Sequence, residues 1–302
     1  MAPIAVHDLS KYYGDIRGID DLSFTVKEGE VFGFLGPNGA GKTTTIRTLL
    51  GLMSPTSGSA TVLGADIQNE SELIEARRNI GYLPDHLGFD EEMTGAQILA
   101  YHAAVKGDAR RDELVKLFTP PLDRPVRGYS SGNKRMLGII QAFMHDPDLV
   151  ILDEPTSGLD PLKQEQFNEF IREERAQGTT IFFSSHILSE VRQICDRIGI
   201  VRDGTLVELE EVETLLKRSG KRVRVQTTPD GRDALAALEG VVDVHQFDER
   251  MQFIYTGEYN ELFRVLSNHD VLEADISEPP LEDIFLHYYG EEPDDPEGEL
   301  DV

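Results

Sequence analysis

Gly36-Pro37-Asn38-Gly39-Ala40-Gly41-Lys42-Thr43 matches the pattern G-x-x-x-x-G-K-[ST] at every fixed position. The apolar run before it, residues 31–35, predicts a buried strand, and a helix is predicted from Lys42 onward. In such a loop the glycines allow backbone N–H groups to turn toward the β- and γ-phosphates of a nucleotide. Lys42 adds a cation there, and Thr43 offers a hydroxyl to Mg²⁺. We therefore expect a phosphate-binding loop within an α/β fold rather than a plain glycine turn.

A second segment, Leu149-Val150-Ile151-Leu152-Asp153-Glu154, is an apolar run closed by two carboxylates. A buried parallel strand delivers acids to the carboxyl edge of a sheet in this way. We expect Asp153 to hold Mg²⁺ opposite Thr43 and Glu154 to polarise the attacking water. Taken alone, the run also fits an ordinary strand that ends in a polar turn.

A third segment, Tyr129-Ser130-Ser131-Gly132-Asn133-Lys134-Arg135, precedes residues with helical apolar spacing. Ser130 is predicted to cap that helix, which would leave the amides of Ser131, Gly132 and Asn133 free to bind an anion. By itself the segment indicates only a helix cap. Its position 23 residues before Asp153 is what gives it a possible second role.

With these three segments in this order, the chain resembles the nucleotide-binding subunits of ATP-binding cassette (ABC) transporters, whose signature peptide usually is L-S-G-G-Q. Ser130 and Gly132 match that peptide, whereas Ser131 replaces a glycine and Asn133 replaces the glutamine. The resemblance covers about the first 217 residues. It implies an α/β P-loop NTPase fold of the ABC cassette type, with a parallel-core sheet, an antiparallel β flank and an α-helical lobe.

Further landmarks of the family are present. Asp160 ends a segment that resembles the D-loop, whose aspartate helps to join two subunits across the nucleotide. His186, 32 residues after Glu154, is similar to the switch histidine that contacts the γ-phosphate and is assigned with Glu154 to catalysis. Tyr13 matches the aromatic residue that stacks on adenine, although Tyr12 is an adjacent alternative. The positions that the resemblance assigns to ATP are Tyr13, Gly36, Pro37, Asn38, Gly39, Ala40, Gly41, Lys42, Thr43, Thr44, Ser130, Ser131, Gly132, Asn133 and Asp160.

Asp85 departs from the family pattern, because most cassettes have glutamine or glutamate there. A carboxylate can still accept a Mg²⁺-bound water, so the resemblance gives three metal positions, Thr43, Asp85 and Asp153. Aspartate is shorter and bears a charge that glutamine lacks. Together with Ser131, it leaves open a regulatory subunit that binds ATP but hydrolyses it weakly.

The composition excludes several classes of protein. A net charge of −26, with 20 Arg and 9 Lys against 55 acidic residues, repels phosphate backbones and argues against nucleic-acid binding. This balance resembles that of proteins from salt-loving archaea. No stretch approaches the roughly 18 consecutive apolar residues of a membrane-spanning helix, and the amino terminus lacks the features of a signal peptide. The single cysteine, Cys195, excludes an internal disulfide and suits the cytosol.

Charge also marks a domain boundary. Residues 1–218, the predicted ATP-binding domain, carry 23 basic and 34 acidic residues, whereas residues 219–302 carry 6 and 21. Within this second part, residues 219–290 predict a small α+β module of order βαββαβ, similar to a ferredoxin-like fold. An amphipathic helix is predicted at residues 281–289. Residues 291–302, with seven acids and two prolines, predict a disordered tail.

The expected function is that of an ATP-binding and ATP-hydrolysing subunit of an exporter. The resemblance implies ATP and Mg²⁺ as ligands, a second cassette and separate membrane-spanning permease subunits as partners, and a place on the cytoplasmic face of the membrane. The carboxy-terminal ending is similar to that of type-2 exporters of the daunorubicin-resistance kind. The alternatives are a soluble ABC ATPase without a membrane partner, the regulatory subunit named above, and an importer subunit.

Overall fold

The computed structural model describes residues 2–218, 220–247 and 250–277. It divides into two compact units, of which the larger ends at Val212 and the smaller begins at Glu213. The helix predicted at residues 281–289 and the tail predicted at 291–302 lie outside the described residues. Each unit is therefore described separately.

The larger unit alternates strands and helices, as an α/β protein does. Its elements in chain order are β1 (Ile4–Tyr13), β2 (Ile16–Val26), β3 (Val31–Leu35), α1 (Lys42–Leu49), β4 (Ser57–Val62), β5 (Ala65–Asp66), α2 (Glu70–Ala76), β6 (Ile80–Leu83), α3 (Gly95–Lys106), α4 (Arg111–Phe118), α5 (Ser131–Phe143), β7 (Leu149–Asp153), α6 (Pro161–Ala176), β8 (Thr180–Ser185), α7 (Leu188–Ile194), β9 (Arg197–Arg202) and β10 (Thr205–Glu211). Helix α8 (Val212–Arg218) begins at the boundary between the units.

The central sheet has the strand order β10-β9-β3-β8-β7-β6. Five of its strands are parallel, and β10 pairs antiparallel with β9. All residues of β3, β7 and β8 are buried, which is typical of parallel strands covered on both faces. Because parallel strands end at the same edge, the loops after these three strands lie side by side.

A second, antiparallel sheet of order β2-β1-β4-β5 packs against the central one. Its Phe24 contacts Phe32, Phe34 and Phe182 of the central sheet, with ring centroids 5.5 to 6.2 Å apart. Each buried aromatic ring contributes roughly 1.5 to 3 kcal/mol through the removal of apolar surface from water. The antiparallel sheet is the flank that the resemblance predicts, and these aromatic contacts attach it to the central sheet.

The predicted helical lobe consists of α3, α4 and α5. Helix α3 begins after Thr94, whose hydroxyl accepts the Gln97 amide while the Gln97 side chain accepts the Thr94 amide. Helix α5 begins after Ser130, whose hydroxyl accepts the Asn133 amide at 3.2 Å. The cap prediction for Ser130 is therefore confirmed, but the prediction of a free Asn133 amide is wrong, because the capping hydroxyl takes that amide.

The smaller unit has its elements in the order expected from the sequence: β11 (Lys221–Thr227), α9 (Pro229–Ala236), β12 (Val241–Phe247), β13 (Arg250–Tyr255), α10 (Tyr259–Ser267) and β14 (Val271–Ser277). They form one antiparallel sheet of order β12-β13-β11-β14, the ferredoxin-like arrangement. Val223, Phe253 and Tyr255 on the sheet pack against Leu235 of α9 and Leu262 of α10. Among the described residues of both units, no helix has the length and apolarity needed to cross a membrane.

Two histidines lie against each other inside the helical lobe. His102 of α3 and His145, just after α5, have ring centroids 5.8 Å apart, and the nearby Lys106 ammonium donates to the carbonyl of Ile80 at 2.6 Å. Nε2 of His102 and both ring nitrogens of His145 are buried without a hydrogen-bond partner. Burial, with the Lys106 charge as a further cause, lowers the pKa of both imidazoles to about 4. The folded lobe thus favours neutral histidines.

We predict that acid destabilises the protein partly through this pair. In the unfolded chain these imidazoles bind protons below about pH 6.5, whereas in the folded chain they bind protons only near pH 4. Because the unfolded chain binds more protons between these two pH values, the free energy of unfolding falls as the pH drops from about 6.5 to about 4. Allowing for their partial exposure, we expect a loss of about 1 to 3 kcal/mol for the pair.

Urea unfolding at about pH 7.5 and pH 5 tests this prediction. The His102→Gln/His145→Gln variant should lose less stability between the two pH values than the wild type does. His7→Gln, at an exposed histidine, serves as the matched control and should behave as the wild type. Equal acid sensitivity of the double variant and the wild type would contradict the assignment.

Candidate nucleotide-binding site

The predicted phosphate loop joins β3 to α1, as the sequence indicates. Gly41 precedes α1 in a left-handed conformation (φ 103°), and no side chain caps this helix. A Cβ at Gly36 would lie 2.3 Å from the carbonyl oxygen of Val201 in the neighbouring strand β9. Glycine at these two positions therefore lets the loop turn tightly against the sheet and leaves the first amides of α1 available to an anion.

Lys42 lies at the centre of this loop and is buried. Its ammonium donates to the carbonyl oxygens of Gly36, at 2.6 Å, and Pro37, at 3.2 Å. It also lies 3.3 Å from Oε1 of Glu154, as an ion pair whose geometry is not that of a hydrogen bond. The Lys42 ammonium, which the sequence assigns to phosphate, is thus held in place by two carbonyl groups of the phosphate loop and by the predicted catalytic carboxylate of Glu154.

Asp153 ends β7 directly beside the phosphate loop. Its Oδ2 accepts the Thr43 hydroxyl at 3.0 Å, and its Oδ1 accepts the Ser184 hydroxyl at 2.6 Å. Burial raises the pKa of this carboxyl, and the two hydroxyl bonds oppose that rise. Asp153 therefore lies opposite Thr43, as expected, and the side-chain oxygen atoms of Asp153, Thr43 and Ser184 form a cluster.

Glu154 and His186 meet across the loops that follow β7 and β8. Nδ1 of His186 lies 2.8 Å from Oε2 of Glu154, with the imidazole 45% exposed and the carboxylate 12% exposed. The Glu154 backbone has a φ of 50°, a left-handed conformation that is unfavourable for a side chain of this size. Its amide donates to the carbonyl of Ser184 at 3.2 Å. The two residues predicted for catalysis are therefore in direct contact.

Asp85 lies on the loop after β6 and also reaches the site. Its backbone carbonyl accepts a hydrogen bond from the buried guanidinium of Arg135 at 2.8 Å, and its Oδ1 lies 3.7 Å from the same group. Arg135 donates further to the carbonyls of Pro84, at 3.0 Å, and Ser157, at 3.3 Å. The aspartate that departs from the family pattern thus faces a compensating cation that the sequence analysis does not assign.

A cleft of about 300 Å³ opens between these elements. Tyr13 lies at one end, where its hydroxyl is 3.4 Å from Oγ1 of Thr44 and donates to Sδ of Met53 at 3.0 Å. Tyr12 is not among the lining residues, so the geometry favours Tyr13 for the aromatic role. The residues that line the cleft are Tyr13, Ile16, Arg17, Gly18, Pro37, Asn38, Gly39, Gly41, Lys42, Thr43, Thr44, Asp85 and Glu154.

The predicted signature peptide and Asp160 do not line this cleft. They lie together elsewhere on the surface of the larger unit. The Ser131 hydroxyl donates to the carbonyl of Gly158 at 3.4 Å, and the Lys163 ammonium donates to the side-chain oxygen of Asn133 at 3.1 Å. Asp160 caps α6 by accepting the Lys163 amide at 3.0 Å. Within one chain, therefore, these residues contribute nothing to the lining of the cleft beside the phosphate loop.

Two residues of the site escaped assignment from sequence. Ser184 stands opposite Asp153 in the register of β7 and β8. A polar residue near the end of an otherwise apolar strand was the sequence signal that could have indicated its role in the site. Arg135 follows the signature peptide in the first turn of α5, where a basic residue indicates nothing specific. Its role depends on two loops that are distant in sequence.

Comparison with known proteins gives consistent matches. A family profile described as "ABC transporter" matches residues 19–157. The bacitracin transport ATP-binding protein BcrA of Bacillus licheniformis is 37% identical over 95% of this chain and 97% of its own length. The linearmycin resistance ATP-binding protein LnrL of Bacillus subtilis is 31% identical over 95% of this chain and 98% of its own. A solved ATP-binding subunit of an ABC transporter superposes with a TM-score of 0.63 at 32% identity, covering 70% of this chain and 91% of that one.

We predict that Gly36→Ala weakens ATP binding at least about tenfold, equivalent to about 1.4 kcal/mol. The added methyl would meet the Val201 carbonyl at 2.3 Å and would force the loop away from β9. Gly88→Ala is the matched control, because its Cβ would meet no atom within 4 Å, its φ is outside the left-handed range and the residue does not line the cleft. This variant should bind ATP as the wild type does.

Titration with a fluorescent ATP analogue measures both affinities, and thermal unfolding shows whether each variant is folded. Wild-type affinity in a folded Gly36→Ala variant would contradict the proposed fit of the loop against β9.

Proposed function

We propose that this chain, which belongs to the ATP-binding proteins of ABC transporters and is an ATPase, drives an exporter by hydrolysing ATP in the cleft beside the phosphate loop. The observation that carries the proposal is the convergence of Lys42, Thr43, Asp153, Glu154 and His186 at one edge of the central sheet. The match along almost the whole chain to a bacitracin transport ATP-binding protein supports the transport role.

In this proposal the phosphates of ATP lie over residues 36–43. The free amides at the start of α1 and the Lys42 ammonium bind the β- and γ-phosphates, and Tyr13 stacks on the adenine. Lys42 then exchanges its contacts with the loop carbonyls and Glu154 for phosphate oxygens. Thr44 lies beside the Tyr13 hydroxyl and links the adenine end of the cleft to α1.

Thr43 and Asp153 are the residues that fit Mg²⁺. A hydroxyl and a carboxylate oxygen 3.0 Å apart, next to the phosphate loop, are the hard oxygen donors that this ion prefers. Asp85, which lines the same cleft, is the third candidate, as a partner of a metal-bound water. When bound, Mg²⁺ would neutralise charge on the β- and γ-phosphates during phosphoryl transfer.

Glu154 is assigned to the attacking water. Its carboxylate lines the cleft and accepts the water proton, while His186 holds the carboxylate through Nδ1 and orients it toward the γ-phosphate. Since phosphoryl transfer requires mainly in-line positioning and charge stabilisation, this pair and Lys42 are what the phosphate-loop side of the site supplies to the reaction.

A second cassette completes the site in this proposal. Residues 130–133 and Asp160 do not line the cleft of their own chain. When two copies pair head to tail, the amides of Ser131 and Gly132 of one copy would face the γ-phosphate bound by the other. Closure of the pair would then depend on ATP, because the nucleotide supplies the contact between the copies.

Transport itself requires membrane subunits, which we propose to be separate chains. The described residues include no helix that could cross a membrane, and the similarity to a linearmycin resistance protein favours the outward direction. The chain would then work on the cytoplasmic face of the membrane. Residues 1–218 would form the ATP-binding domain and residues 219–290 an accessory module.

We predict that Glu154→Gln preserves ATP binding and lowers the turnover number at least about one hundredfold. The glutamine keeps the shape of the side chain but cannot accept the water proton. The variant should also accumulate an ATP-dependent dimer, because closed pairs are no longer opened by hydrolysis. Phosphate release and size-exclusion chromatography with Mg-ATP at high KCl measure these two effects.

Glu169→Gln, at an exposed glutamate of α6, is the control for the charge change and should turn over ATP as the wild type does. Undiminished turnover in Glu154→Gln would remove Glu154 from the mechanism.

Membrane association tests the transporter role. We expect the tagged chain to sediment with membranes, and to be retained there at high salt, only when it is co-expressed with membrane-spanning permease subunits of the exporter kind. Equal sedimentation with and without those subunits would contradict the proposed partnership.

A further inference from the structure

A buried carboxylate behind the catalytic pair has no role in the function proposed above. Glu190 lies in the first turn of α7 and is only 9% exposed. One oxygen accepts the Thr156 hydroxyl at 2.6 Å, and the other accepts the Ser185 hydroxyl at 2.8 Å. Both oxygens are therefore bonded, one to the loop that follows β7 and the other to the last residue of β8, where the next loop begins.

These two loops are the ones that carry the catalytic pair. Thr156 lies two residues after Glu154, and Ser185 lies immediately before His186. The outer bridge between the loops, from His186 to Glu154, is partly open to solvent. The inner bridge, from Thr156 through Glu190 to Ser185, is buried, since Thr156 is 3% and Ser185 0% exposed. Glu190 thus joins the same loops behind the groups that face the cleft.

The backbone around the catalytic pair needs such support. Glu154 has a left-handed φ of 50°, a conformation that persists only where the surroundings hold it. On the other side, the Ser185 hydroxyl accepts the amide of Ile187 at 2.9 Å, so that Ser185 also fixes the backbone on either side of His186. Hydrogen bonds to a buried charged acceptor are among the strongest in proteins and are costly to leave unmade.

We propose that Glu190 is a positioning residue for ATP hydrolysis, which holds the His186 loop against the Glu154 loop so that both side chains face the bound nucleotide. The inference rests on the roles proposed for Glu154 and His186. It adds that their alignment is set by a carboxylate that touches neither ATP nor water. Loss of this bridge should therefore impair the chemical step and leave nucleotide binding intact.

Glu190→Gln tests the proposal with little change of shape. A glutamine offers one acceptor oxygen and an NH₂ group that can only donate, so one of the two hydroxyls loses the carboxylate acceptor to which it donates. We expect kcat to fall about tenfold or more, while the KM and the Kd for ATP change less than about twofold. Glu190→Asp keeps the charge on a shorter side chain and should restore part of the lost kcat.

Two further variants keep the test decisive if Glu190→Gln folds poorly. Thr156→Val and Ser185→Ala each remove one of the two bonds and leave the carboxylate in place. Each should lower kcat with little effect on KM. In the Glu154→Gln background, Glu190→Gln should cause no further fall, because Glu190 acts through Glu154.

Glu174→Gln is the matched control. Glu174 is a buried carboxylate that accepts two hydrogen bonds from Arg110 at the far end of α6. Its substitution should lower thermal stability without a selective loss of kcat. An equal fall of kcat in Glu174→Gln and Glu190→Gln, or a rise of KM that accounts for the whole effect in Glu190→Gln, would overturn the positioning role.

Loss of the catalytic role of Glu154 and loss of the positioning role of Glu190 are distinguishable in these variants. If Glu154→Gln turns over ATP as the wild type does, the proposed catalytic pair is wrong. If Glu154→Gln is inactive but Glu190→Gln and Thr156→Val keep the wild-type kcat, only the role of Glu190 is wrong.

Discussion

The buried carboxylate of Asp153 is the constraint on which the site depends. It lies 1% exposed at the end of an all-buried strand, where an unpaired charge would be very costly. The hydroxyls of Thr43 and Ser184 compensate that cost. Because Thr43 lies in the first turn of α1 and Ser184 is the last residue but one of β8, the same two bonds fix the loop, the strand edge and the catalytic loops relative to one another.

This arrangement follows from parallel strand order. Strands β3 and β7 flank β8, so that Leu35 stands opposite Ser185 and Asp153 stands opposite Ser184. The carboxyl ends of β7 and β8 then deliver Asp153, Ser184 and Ser185 to one edge of the sheet, and β3, which ends in Leu35, delivers the phosphate loop to the same edge. The apolar residues before these ends remain buried on both faces. The strand interiors thereby stabilise the fold, and the strand ends position the site.

Buried charged side chains connect the loops that the strands do not. Arg135 binds the loop of Asp85 and the carbonyl of Ser157, and its guanidinium lies 3.7 Å from Oδ1 of Asp85, where it offsets the negative charge of that carboxylate. Glu190 connects the loops of Glu154 and His186 from behind. Such bonds are strong because they are shielded from water, and they constrain geometry more than surface ion pairs do.

The sequence by itself determined the local features: the phosphate loop between strand and helix, the apolar runs of the parallel strands, the caps at Thr94 and Ser130, and the βαββαβ order of the smaller unit. These depend on periodicity and on residues a few positions apart, which a single sequence displays. Only the tertiary structure decided that the Asn133 amide donates to the capping hydroxyl of Ser130 and that Tyr13 rather than Tyr12 lines the cleft. It also decided which further side chains support the site, namely Ser184, Arg135 and Glu190. Each of these outcomes depends on strand order and on contacts between residues distant in sequence, which local pattern does not encode.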